Sequence, residues 1–116
     1  MPSAQLTINT AANPVNLWKA LRGDTISGVT VSETFPRMQA GGDVACNFLA
    51  VENDYSNGAA VVTVGDGKIT AGAGGTNLLA GSARIKEAPT NVYSLANTWV
   101  AVSANSTKVN VEFQGC

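Results

Sequence analysis

The sequence contains no histidine. That removes the commonest general base, the Ser-His and Cys-His nucleophilic pairs and the most frequent zinc ligand. Charge is also scarce, at 13% of residues, against roughly 25% in ordinary globular domains. The polar surface must therefore be built largely from Asn, Thr, Ser and Gly. Neutral polar surface suits close assembly, because burying it strips few charges of water. The basic residues Lys19, Arg22, Arg37, Lys68, Arg84, Lys86 and Lys108 are scattered and offset by eight acids, for a net charge of −1. No basic stripe exists to neutralise a row of phosphates, so no nucleic-acid partner is expected. The acids are equally dispersed, which leaves a paired-carboxylate hydrolase without support.

Cysteine is rare too. Cys46 and Cys116 form no CxxC pair and propose no metal site. Cys46 lies in an apolar run and is expected to pack as a small hydrophobe, whereas Cys116, the last residue, is expected to be loose. A disulfide between them is disfavoured in a reducing compartment. No apolar run approaches the roughly 20 residues that a membrane-spanning helix needs, and there is no basic amphipathic helix, so no membrane partner is expected. Met1-Pro2-Ser3-Ala4 has neither a charged nor an apolar signal region, which makes synthesis in a cytoplasm the default.

What is present is strand and turn chemistry, in a length of 116 residues that supports one domain with one core. Ala4, Leu6 and Ile8 alternate with Gln5 and Thr7, as in a half-buried strand at the end of an N-terminal arm (1–12). A helix is expected over 13–23, with Asn13 as cap, Pro14 in the first turn, Leu17, Trp18 and Leu21 on one face, and Gly23 as the left-handed stop. Val29, Val31 and Phe35 share one face of a strand that Pro36 ends, and Gln39–Gly42 is a turn. Val44–Val51 reads as a more deeply buried strand, and Glu52–Gly58 as a solvated loop. Ala59–Val64 is a further strand, turned by Gly65-Asp66-Gly67 into Lys68-Ile69-Thr70. Ala71–Asn77 carries three glycines and reads as a flexible surface loop. Leu78–Ala80 and Ser82–Lys86 form one interrupted strand, and Pro89-Thr90-Asn91 a loop. Thr98–Ser103 and Lys108–Phe113 look like a closing hairpin, with Val109, Val111 and Phe113 aligned. Turns every eight to twelve residues or so, with no helices between strands, indicate an all-β chain. The expected architecture is an antiparallel β-sandwich, jelly-roll-like, with one short N-terminal helix.

Motifs that hint at chemistry have plainer explanations. Gly65-Asp66-Gly67-Lys68 follows a strand, but a phosphate loop needs Gly where Val62 stands and Ser or Thr where Ile69 stands. The loop Glu52–Asn57 offers oxygen ligands without the EF-hand spacing, so no metal is assigned. Arg22-Gly23-Asp24 resembles the integrin-binding tripeptide, yet it falls where the helix stops, and Asn105-Ser106-Thr107 fits the glycosylation sequon in a turn. Trp18 and Trp99 sit in apolar runs and read as anchors rather than as a sugar platform. No catalytic set and no cofactor site emerge.

The last half of the chain carries a more specific pattern. Val62-Thr63-Val64-Gly65-Asp66 precedes a Gly-rich loop and Leu78-Leu79-Ala80-Gly81-Ser82. Leu95-Ala96-Asn97-Thr98-Trp99-Val100 then leads to Lys108-Val109-Asn110-Val111. This order resembles small β-sandwich structural proteins of tailed bacteriophage particles, in particular capsid decoration (cement) proteins. The helix over 13–23 lies outside that pattern. The resemblance implies a non-enzymatic virion component that binds major capsid protein or other virion proteins as a homo-oligomer and braces the shell. A fibre, tail or baseplate part and a carbohydrate- or receptor-binding module are the alternatives. Contact residues are expected in the N-terminal segment (Pro2, Leu6, Ile8), at Trp18, and in the Gly-rich loop (Gly72, Gly74, Gly75).

Overall fold

The computed structural model describes residues 2–11, 13–39, 45–88 and 93–116. Within them the elements run β1 (Ser3–Ile8), β2 (Val15–Asn16), α1 (Leu17–Arg22), β3 (Val29–Val31), a 3-10 turn at Pro36–Gln39, β4 (Ala45–Cys46) and β5 (Phe48–Asn53). A second 3-10 turn (Tyr55–Asn57) leads to β6 (Val62–Gly65), β7 (Thr76–Leu78), β8 (Ala83–Glu87), β9 (Tyr93–Ser94), β10 (Trp99–Val102) and β11 (Thr107–Gln114). The pairing is antiparallel throughout: a five-stranded sheet β3-β1-β11-β5-β8, a four-stranded sheet β2-β10-β6-β7, and the small pair β4-β9. The chain is thus an antiparallel β-sandwich with one short helix.

Strict alternation builds the five-stranded sheet. Ala4, Leu6 and Ile8 of β1 and Val109, Val111 and Phe113 of β11 all turn into the core, while Gln5, Lys108 and Glu112 turn out. Period-two patterning is what a half-buried strand requires. The β5 strand also alternates, with Leu49, Val51 and Asn53 buried and Phe48, Ala50 and Glu52 only partly so, rather than being buried on both faces. Opposite this sheet stand Val62, Val64, Val100 and Val102 of the second, in the same core cluster.

Several expected connections are replaced. The Val15-Asn16 pair does not start a helix but pairs with Trp99-Val100, so Asn16, not Asn13, caps α1 by accepting the Lys19 N–H at 3.0 Å. Gly23 ends α1 at φ 101°, as its missing Cβ permits. The β10 and β11 strands are not a hairpin: β11 has both edges occupied by β1 and β5, and the turn at 103–106 carries the chain from one sheet to the other. Likewise β7 and β8 belong to different sheets, not to one interrupted strand. No strand forms at Lys68-Ile69-Thr70, where only a bridge joins Thr70 to Ala73. Cys116 is tied to Cys46 by a disulfide across 70 positions, while Cys46 itself is fully buried. Residues 40–42 of the expected turn, Val44, and Pro89-Thr90-Asn91 fall outside the described residues.

Candidate functional site

The Gly-rich segment is not a loose loop. Ile69 is 1% exposed and packs on Gly65, where a Cβ would stand 2.5 Å from its Cγ2. A Cβ on Gly75 would stand 2.3 Å from the Val64 carbonyl oxygen, so only glycine lets the chain approach there. The Gly72 N–H donates to Thr63 Oγ1 at 2.8 Å, and Thr63 Oγ1 donates to Asn77 Oδ1 at 2.8 Å. Ile69 and its neighbours thereby cover the outward face of the four-stranded sheet, where Thr63 and Ala101 pair and are buried. Gly67 lies against the indole of half-buried Trp99, 3.2 Å from Nε1 by the position of an added Cβ.

The polar stretch after β5 is a bonded hub, not a solvated loop. Asn53, fully buried, donates to the carbonyls of Ala60 and Leu78, both at 2.8 Å, and accepts from Asn57 at 2.6 Å. The Asn57 side chain then meets Lys108 as a second strand would, donating to its carbonyl at 2.6 Å and accepting its N–H at 2.9 Å. Asp54 accepts from the Ser56 hydroxyl and from Asn110 Nδ2, and these bonds hold its carboxyl below the usual value, the Ser56 hydroxyl contributing most. Asn110 also donates to Glu52 at 2.7 Å and accepts from Gln5 at 2.8 Å. A chain of side-chain bonds thus crosses the outer face of the five-stranded sheet, from the Gln5 amide through Asn110 to the Glu52 and Asp54 carboxylates. The oxygens that suggested a calcium loop are engaged in these bonds, and among the described residues no cluster of three His, Cys, Asp or Glu side chains is placed to hold a metal.

The expected contact residues divide. Leu6 and Ile8 are fully buried and face the core, because the outward positions of β1 fall to Gln5 and Thr7; neither presents its side chain to a partner in this fold. Pro2 is half-buried, and its carbonyl accepts the Phe113 N–H at 3.1 Å. Trp18 is half-buried, donates from Nε1 to the Met38 carbonyl at 2.9 Å and lies under the Arg22 guanidinium at 4.1 Å. Gly72, Gly74 and Gly75 are exposed. Arg22 and Asp24 close on each other with bonds of 3.0 and 2.7 Å, so the Arg22-Gly23-Asp24 tripeptide is a helix stop.

Of the aromatic residues on which a sugar platform would rest, Tyr55 is 83% exposed on the 3-10 turn, next in the chain to Ser56, which lines a groove with Asn57, Asn105 and Ser106. One feature escaped the sequence reading: a cleft of about 230 Å³ between the sheets, where Arg84 and Lys86 of β8 stand over Val64, Gly65 and Thr98, and Arg84 donates to the Val64 carbonyl at 3.3 Å. They pair with Val51 and Leu49, so both cations occupy core-facing positions at a sheet edge. Alternation in Ala83–Glu87 carries that signal, but only the pairing with β5 says which face is inward. Burial and the nearby Arg84 push the Lys86 ammonium below the ordinary lysine value, burial contributing more. Neither cation forms an ion pair among the described residues. Comparison with protein families, curated proteins and solved structures finds no match to this chain.

Proposed function

We propose that the chain is a non-enzymatic structural protein of a virus particle of the tailed-bacteriophage kind, acting as a capsid decoration protein that binds the outer shell as a homo-oligomer. The observation that carries this reading is the charge-poor, internally bonded surface of a two-sheet sandwich. Gln5 and Asn110 present amides already bonded to neighbours, and the Gly-rich segment is packed down on Val64. Such a surface enters an interface with little loss of side-chain freedom and few charges to strip of water. The strand order of the C-terminal half, with its Val62-to-Asp66 and Lys108-to-Val111 runs, adds support by resemblance. Synthesis in a host cytoplasm fits the Cys46–Cys116 bond if the bond closes once particles reach oxidising surroundings. The test is sedimentation of purified protein with and without capsids: co-migration and a raised capsid melting temperature are expected, and failure to bind any virion part would overturn the proposal.

A second reading, a carbohydrate- or receptor-binding fibre or tail part, is favoured by Tyr55 alone. Its exposed ring, next in the chain to Ser56 of a groove that also presents Asn57, Asn105 and Ser106, suits stacking on a sugar face. A glycan array separates the two: hits that vanish in Tyr55→Ala would move the assignment to this reading.

A further inference from the structure

We propose that the outer edge of β8, unpaired at Ala83 and Ile85 among the described residues, is a docking strand for an extended, acidic segment of a partner protein, which adds to the five-stranded sheet and sets its carboxylates against Arg84 and Lys86. The inference is independent of the virion reading, because it holds for whatever protein carries the segment.

The edge has three matched parts. First, backbone groups are available. The Asn53 N–H bonds the Ser82 carbonyl and the Ala88 N–H bonds the Asn47 carbonyl. In an antiparallel ladder bonded pairs alternate, so Arg84 and Lys86 bond β5 while Ala83, Ile85 and Glu87 turn their amides and carbonyls outward. The Glu87 carbonyl is taken by the Tyr93 hydroxyl at 3.1 Å; the outward groups of Ala83 and Ile85 have no partner among the described residues. Second, Ile85, in the middle of the strand, is 61% exposed on the outer face, one of three large exposed hydrophobics among the described residues. Third, Arg84 and Lys86 are two residues apart on the inner face, about 7 Å along the strand. Carboxylates spaced i, i+2 on an added strand would fall beside them.

Charge selects the occupant. Antiparallel pairing of β8 with a second copy about Ile85 would set Arg84 against Lys86 of the other copy, which repels. Inward-pointing charge is a known guard against indiscriminate edge pairing, and the same guard admits a strand whose charges are opposite. Of the acids nearby, Asp66 at the cleft rim accepts the Lys68 N–H at 2.9 Å, and Glu87 lies on the outer face. Tyr93 packs on the other side of Lys86, its ring 5.4 Å from Nζ.

The experiment is an NMR titration of the intact chain with a blocked hexapeptide of alternating glutamate and valine, and with its glutamine counterpart. Shifts centred on the Ala83, Ile85 and Glu87 amides are expected, with the glutamine peptide and the R84Q/K86Q protein each binding about tenfold more weakly. Ile85→Pro removes an outward N–H without touching the ladder to β5; it should keep a folded spectrum and lose the peptide. Equal binding of both peptides, shifts mapping to β3 instead, no binding, or undiminished binding by folded Ile85→Pro would each overturn the proposal. So would concentration-dependent self-association through β8.

Discussion

On one side of the sandwich the sheets end at β2 and β3, and α1 lies against both. Leu17, Ala20 and Leu21 are buried there, the Phe35 N–H bonds the Leu21 carbonyl at 2.6 Å, and Phe35 meets Phe113 edge-on at 5.0 Å. On the other side the sheets end at β7 and β8, no helix covers them among the described residues, and two cations take the inward positions. The comparison separates two ways of protecting a strand edge. A helix at the end of the sheets contributes apolar burial through Leu17, Ala20 and Leu21, while the β3 edge itself stays partly exposed. Inward charge leaves the edge open but restricts what can join it.

The largest expected effect falls on both sides alike. Replacing Cys46 and Cys116 by serine opens a tie spanning 70 positions, for which chain entropy predicts a loss of about 4 kcal/mol. Because that effect resides mainly in the unfolded chain, hydrogen exchange should rise equally in α1 and β8; a rise confined to one side would show a local role instead. Leu21→Ala should then divide the sides, costing about 3 kcal/mol in urea unfolding. Ile85→Ala, at an exposed position, should stay within about 0.5 kcal/mol. Similar losses would mean the open side is covered after all. Gly75→Ala comes next, at about 1–3 kcal/mol from overpacking against Val64; a neutral outcome would show that the Gly-rich segment yields. The smallest effect concerns Lys86. Its folded value lies below the unfolded one, so the charged side chain costs stability at neutral pH, and that cost fades as pH rises through the folded value toward the ordinary lysine value near 10.4. Arg84→Gln removes the repulsive cause and should raise the Lys86 titration followed by side-chain NMR; no movement would leave burial as its sole cause.

Strand faces were legible in the sequence. The alternation of Leu6 and Ile8 with Thr7, and of Val109, Val111 and Phe113 with Asn110 and Glu112, needs nothing beyond the period of a strand. So was the helix stop at Gly23. The candidate site was much less so. Arg84 and Lys86 looked like scattered charge until pairing with Val51 and Leu49 turned them inward. Asn53 and Asp54 looked solvated because their partners, Leu78, Lys108 and Asn110, lie far along the chain.

What this sequence determined by itself was local: which residues alternate, where glycine permits a turn, and how little charge the surface carries. What tertiary structure decided was partnership. Alternation states that Thr98–Ser103 and Lys108–Phe113 are strands, but not that they sit in opposite sheets; β11 found both its edges occupied by β1 and β5. The bond between Cys46 and Cys116 has the same cause. Distance in the fold is set by the packing of the whole core, and no local pattern encodes it.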